Sequence, residues 1–289
     1  MVPCPLSHMV EILQINLLIL AILLSVSVTN LRQRLSFTVL RARFVVNHGI
    51  ALSVIASAVL LGCFAVACVL HEPVPRIHDE FSYLLMADTF VSGHVVNPPP
   101  PLTQFFDTFH ELMHPVYVSK YFPAQGVFLA LGKEITGHPI AGVWLSSALA
   151  CAATFWMLEA WISSTWALFG AVLMIVQLGI YSYWSQSYWG GMVAALGGSL
   201  FFGAARRLWD GFDSRNGIWM ALGLVLLANS RPLEGLIVSL PLSILFVAHM
   251  WRKRRWKETG FWQALIPAGL VLLLGAVAMG AYNFSLLRF

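Results

Sequence analysis

Charge is scarce in this sequence. Lys, Arg, Asp and Glu together supply 10% of the 289 residues, while 58% are hydrophobic. Soluble domains carry roughly 25% charged residues, so this chain lacks the polar surface that water requires, and a soluble globular domain is excluded. Cysteine is scarce as well. Of the four cysteines, Cys63, Cys68 and Cys151 lie inside apolar stretches and Cys4 sits close to the first residue. They read as small packing residues, not as a disulfide or metal framework. Internal repeats and long charged tails are absent, and nothing resembles a nucleic-acid module. The excess of 17 basic over 13 acidic residues therefore speaks to topology, because Lys and Arg collect in cytoplasmic loops.

What the sequence does have is apolar stretches close to the ~20 residues needed to cross a bilayer. About eight such segments recur, at 10–28, 48–70, 139–160, 164–183, 186–205, 217–229, 233–250 and 262–284. They predict an all-α, polytopic transmembrane bundle, a single domain over 1–289, with a long outer loop at 71–138 that contains short interfacial helices. The segment at 217–229 is the shortest. The one at 10–28 lacks the basic start and small-residue cleavage site of a signal peptide, so it is expected to be a retained helix.

Three basic clusters set the expected orientation: Arg32, Arg34, Arg41 and Arg43; Arg206, Arg207 and Arg215; and Arg252, Lys253, Arg254, Arg255 and Lys257. They share one side only if the apolar stretch 121–135 does not cross. That stretch, opened by Phe122-Pro123, is therefore expected to lie along the interface or to dip in and return. The loop 71–120, the turn Tyr183–Trp189, the turn Asn229–Glu234 and the run Tyr282-Asn283-Phe284 then gather on the non-cytoplasmic side of a cell membrane.

Three features carry candidate chemistry. The first is the run from Ile77 to Asp88, after Pro73 and Pro75 and before Gly93. It predicts a short helix with Asp79 and Glu80 in its first turn and with Asp79, Ser82, Tyr83 and Met86 along one face. A carboxylate there is stabilised in its ionised form by roughly 0.3–1 kcal/mol and can accept a proton from an incoming hydroxyl or amine. The plain alternative is that both acids only favour the helix start. The second is His110-Glu111-Leu112-Met113-His114, which matches the H-E-x-x-H pattern of zinc peptidases. Pro115 follows at once and no third ligand is apparent, so loop histidines near lipid headgroups (with His71, His78 and His94) are the plainer reading. The third is Arg231, beside Pro232 and close to Glu234. It is paired with Glu234, a snorkelling arginine, or an anion site for a phosphate with Lys120 as a second cation. Trp184, Tyr188 and Trp189 form either an interfacial belt or a wall for a sugar ring.

Taken together, these residues resemble the GT-C superfamily of polyprenyl-phosphate-dependent glycosyltransferases, and most of all the branch of protein O-mannosyltransferases and aminoarabinose transferases. The resemblance rests on Asp79-Glu80 with Tyr83 and Ala87-Asp88, on Ser119-Lys120-Tyr121-Phe122-Pro123-Ala124-Gln125-Gly126, on Ser187-Tyr188-Trp189-Gly190-Gly191, and on Asn229-Ser230-Arg231-Pro232-Leu233-Glu234-Gly235; it covers roughly 48–284. It implies an inverting transfer of a sugar from a polyprenyl phosphate to a hydroxyl or amine of a glycan, lipid or protein. Asp79 would take the acceptor's proton, and Glu80 would position Asp79 or the acceptor. Lys120 and Arg231 would steady the departing phosphate, while Tyr83, Gln125, Tyr188, Trp189 and Glu234 would line the substrate site. Membrane lipids are the implied surroundings, nucleic acid is not an implied partner, and a divalent metal stays open. Family members are longer, so the resemblance also implies a chain shortened at its C-terminal end. Two rivals stand beside it: a membrane zinc peptidase built on His110, Glu111 and His114, and a non-catalytic, transporter-like or accessory bundle.

Overall fold

The computed structural model describes residues 47–105 and 107–287. The chain divides into two units, Met1–Asn47 and His48–Phe289, and every described helix and strand belongs to the second. The expected span at 10–28 and the basic cluster Arg32–Arg43 lie outside the described residues.

The described part is helical. Its helices are α1 (His48–Val69), α2 (His78–Val91), α3 (Pro123–Thr136), α4 (Ile140–Glu159), α5 (Ser164–Met174), α6 (Gly191–Asp210), α7 (Ser214–Ala228), α8 (Pro232–Arg252) and α9 (Thr259–Ser285). One small antiparallel hairpin, β1 (Glu111–Leu112) with β2 (Val118–Ser119), sits between α2 and α3. Helix ends follow local chemistry. Pro123 and Pro232 occupy first turns, where a missing N–H costs nothing. Gly137 closes α3 in the left-handed region at φ 82°, which glycine enters without penalty. Asp213 caps α7 by accepting the Asn216 N–H at 2.9 Å.

Four helices, α1, α4, α8 and α9, are long and apolar enough to cross a membrane. This is a membrane protein. Exposed apolar side chains cover the outside of α8 and α9, among them Leu236, Ile237, Ile244, Ile266, Leu270 and Leu273, a surface that lipid tails can solvate. The other expected spans are revised. The segment 164–183 is an α-helix only to Met174, then a π-turn over Ile175–Gly179. The helix expected from 186 begins only at Gly191, because Ser182–Trp189 folds back on its own backbone: Gln186 Nε2 donates to the Ile180 carbonyl and Ser187 Oγ to that of Tyr183. The segment 217–229 is a helix of 15 residues, Ser214–Ala228, short for a crossing.

α4 packs against α1, α3, α5 and α6. It can do so because its inward faces are small: Gly142, Ser146, Ser147, Ala150, Cys151 and Ala153 are all buried. Small residues let membrane helices approach backbone to backbone. Cys63 and Cys151 act as the packing residues expected of them. Both are buried and free, and the Cys63 thiol donates to the Gly179 carbonyl at 3.3 Å.

The chain alternates between two ends of the bundle. At one end Arg207 donates to the Trp156 carbonyl at 2.7 Å, Arg255 pairs with Glu258 at 2.8 Å, and His48 pairs with Glu159 at 2.5 Å. The other end collects α2, the hairpin, α3, the Ser182–Trp189 turn and the α7–α8 turn.

Candidate functional site

The site is built from the first turn of α2. Ile77, at the N-cap, has no side chain that can cap, and Glu80 takes over by accepting the Arg76 backbone N–H at 2.8 Å. This reach from the third helical position goes one residue beyond the N-cap N–H that a capping-box glutamate accepts. It leaves Glu80 only 2% exposed. Burial pushes its carboxyl up from the ordinary range, and Asp79 adds to the shift, against the opposing Arg76 N–H and charge. A folded state that holds a proton more tightly than the unfolded chain loses stability as pH rises from the ordinary carboxylate range through the raised value. Glu80→Gln keeps the acceptor oxygen and removes that loss. The variant is expected to melt higher than wild type at neutral pH, with the difference shrinking toward acid pH in thermal unfolding scans.

Asp79 points instead toward the hairpin. Its Oδ1 lies 2.6 Å from Nδ1 of His110 and accepts the hydroxyl of Tyr121. His110 Nδ1 is in turn 2.8 Å from that hydroxyl. Ser82, one turn along α2, locks the arrangement: its Oγ donates to the His110 carbonyl at 2.5 Å and lies 2.7 Å from Ser119 Oγ. His78 stacks on His110, with ring centroids 5.8 Å apart and planes 4° from parallel. Tyr83 stacks on Tyr121 at 4.7 Å. Burial pushes the Tyr83 hydroxyl up to about 12, eased by Arg231 and reinforced by Asp79. Burial, then the Asp79 hydrogen bond, raise that of Tyr121 further. Both phenols therefore stay protonated, and that of Tyr121 donates to Asp79.

Cations border the stacked tyrosines. Lys120 is exposed, with Nζ 5.2 Å from the Tyr121 ring. Arg231, within electrostatic reach of Tyr83, lies over Trp184 and Trp189 at 5.8 and 5.9 Å and pairs with Glu234 at 3.3 Å. The expected Arg231–Glu234 pair is present. It is exposed on its acidic side, so it contributes little stability and leaves the guanidinium free to exchange partners.

Two expected lining residues are interior. Tyr188 packs with Ala87, Leu129, Ile140 and Val143, and its hydroxyl donates to the Pro73 carbonyl at 2.9 Å. Gln125 is buried beside it and donates to the Tyr188 carbonyl at 2.9 Å, with Oε1 unpartnered. Both tie the site together from behind. Trp184 and Trp189 pack with Tyr183 as one aromatic cluster. Ala87 and Asp88 are structural too: Ala87 is buried, and Asp88 pairs with Lys133 of α3 at 2.7 Å.

The zinc-peptidase geometry is not formed. That chemistry needs both histidines on one helical face, whereas Glu111–Leu112 is a strand, His110 turns to Asp79, and His114 Nε2 lies 3.1 Å from Thr103 Oγ1. Among the described residues no group of three or more His, Cys, Asp or Glu side chains could hold a metal ion.

Residue patterns alone do not assign Tyr121 or His110 to Asp79, or Ser119 to Ser82. The available signal is Ser82, three residues after Asp79 on the same helical face, a polar side chain on the face that α2 buries. Tyr121→Phe removes one hydrogen bond to a carboxylate, worth about 1.5–3 kcal/mol. Any proton transfer that depends on Asp79 is expected to slow by roughly 10- to 100-fold, read as a fall in turnover measured below the variant's lowered melting temperature.

An apolar cleft of about 460 Å³ opens beside the first turns of α3, lined by Phe90, Val127, Phe128, Val225, Met279 and Tyr282 among others. Asn229 adjoins it, and the Asn229 carbonyl accepts the Ala124 N–H at 2.9 Å. The chain matches no protein-family model, no curated protein and no solved structure.

Proposed function

We propose that this protein is a membrane glycosyltransferase of the GT-C type, moving a sugar from a polyprenyl phosphate to an acceptor hydroxyl or amine. One observation carries the reading: four motifs that are far apart in the chain meet one another. Tyr121 donates to Asp79, Ala124 to Asn229, Gln125 to Tyr188, and Arg231 lies over Trp189. These are the segments on which the family resemblance rests.

The chemistry fits the groups present. As the bond from the anomeric carbon to the phosphate oxygen breaks, its electron pair stays on the phosphate, a weak base that needs no general acid. The acceptor oxygen or nitrogen bonds to the anomeric carbon from the opposite face, and its proton passes to the Asp79 cluster. Arg231 and Lys120 stabilise the charge developing on the phosphate. The cleft beside Ala124 and Asn229 offers an apolar bed for the isoprenoid chain. α3 exposes Val127, Leu131 and Ile135 at four-residue spacing, the stripe of a helix lying in the interface. In this reading the site end faces the non-cytoplasmic side, opposite Arg206–Arg215 and Arg252–Lys257.

The test is transfer by purified protein in nanodiscs, offered a panel of polyprenyl-phosphate sugars with lipid, glycan and peptide acceptors. Release of polyprenyl phosphate matched to glycosylated acceptor is the expected result. Folded protein that neither binds nor turns over any donor of the panel would sink the reading.

A further inference from the structure

The hydrogens around His110 can be placed in a way that satisfies every contact. Tyr121 donates its hydroxyl to Asp79 Oδ1. Nδ1 of His110 faces that same carboxylate oxygen at 2.6 Å and the Tyr121 oxygen at 2.8 Å, so a proton on Nδ1 serves both acceptors. The ring then carries its lone pair on Nε2. That nitrogen has no hydrogen-bond partner among the described residues, and the side chain is 26% exposed. Its plane is fixed by His78 on one face, and its backbone by the Ser82 hydroxyl. A carboxylate that holds Nδ1–H and presents Nε2 to a nucleophile is the arrangement that makes histidine a general base.

We propose that His110 Nε2, and not Asp79, takes the acceptor's proton, with Asp79 as the positioning residue that selects the Nδ1–H tautomer and offsets the imidazolium charge. The reaction half of this rests on the transferase reading; the tautomer half does not. In the step itself the acceptor's O–H or N–H bond breaks and its proton moves to Nε2. The freed electron pair forms the bond to the anomeric carbon, and the carbon–oxygen bond to the phosphate breaks with its pair on the phosphate. Charge balances: His110 becomes cationic beside anionic Asp79, and the phosphate takes the negative charge beside Arg231 and Lys120.

The full chain, 15N-labelled at histidine in nanodiscs and assigned with His110→Gln, reports the tautomer at the pH of the transfer assay. The expected spectrum has a protonated Nδ1 and a bare, pyridine-like Nε2, and loses that preference in Asp79→Asn. Nε2 protonated, alone or together with Nδ1, would overturn the assignment. In the transfer assay His110→Gln is expected to lower turnover by about 10²–10⁴-fold with donor KM unchanged. Free imidazole should partly restore His110→Gly, a rescue that a merely structural role would not give. Full-rate transfer by His110→Gln overturns the base role. If wild type transfers nothing, the glycosyl reaction and the base role fall together, while the spectrum still decides whether Asp79 sets the ring.

Discussion

Asp79→Asn is expected to lower sugar transfer by about 10²–10⁴-fold without loss of fold or of donor binding. Asn keeps the size of the side chain and an oxygen that can accept the Tyr121 hydroxyl. What it loses is the charge that holds Nδ1–H of His110 at 2.6 Å and offsets the imidazolium. The cost falls on turnover, because the pair is needed when the acceptor gives up its proton. Donor affinity should hold, since the phosphate is met by Arg231 and Lys120. The measurement is a comparison of single-turnover rate and donor binding in the two proteins. Equal rates would remove Asp79 from the reaction; lost donor binding would move it from the proton transfer to the substrate.

The second large effect is structural. Gly142 on α4 and Gly132 on α3 lie where the two helix backbones touch. A Cβ on Gly142 would sit 1.9 Å from the Phe128 carbonyl oxygen, about 1.5 Å short of the 3.4 Å at which ordinary van der Waals contact begins. A Cβ on Gly132 would sit 2.1 Å from the Gly142 nitrogen. Backbone cannot rotate away as a side chain does, so the helices must separate. Gly142→Val is expected to cost about 3 kcal/mol or more, the upper end of overpacking penalties, and to abolish transfer, because α3 starts two residues after Tyr121. Gly198→Ala is the control: nothing lies within 4 Å of its added Cβ, and alanine is the better helix former by ~1 kcal/mol. It should melt at or above wild type. Equal melting of Gly142→Val and wild type would mean that α3 and α4 do not meet as described.

Much of this molecule is legible residue by residue, because hydropathy and helical period are local. Composition alone excludes a soluble domain. Apolar runs place α1, α4, α8 and α9 to within a few residues. The acids at 79 and 80 open α2 as their position predicts, and the Arg231–Glu234 pair follows from three-residue spacing on a helix. The span count was not legible, because an apolar run does not reveal where its helix yields. Over 175–190 the chain turns through a π-turn and a self-bonded loop, whose serines and Gln186 outcompete helix continuation for the backbone.

Tertiary structure alone decided the roles. Asp79 and Glu80 are neighbours in sequence with opposite fates, one turned toward the hairpin and one buried as a cap, since successive helical side chains point about 100° apart. His110 sits in a metal-like motif yet pairs with Asp79, because a strand at Glu111–Leu112 breaks the helical face the motif needs. Tyr188 and Gln125 belong to motifs that read as substrate-facing, and both are interior. The outcomes at Asp79, His110, Gln125 and Tyr188 depend on partners 31 to 115 positions away in the chain, and only the packing of α2, the hairpin, α3 and the 182–189 turn brings them within hydrogen-bonding distance. A sequence carries the period of each helix in its own order of residues; which face meets which is a property of the folded whole.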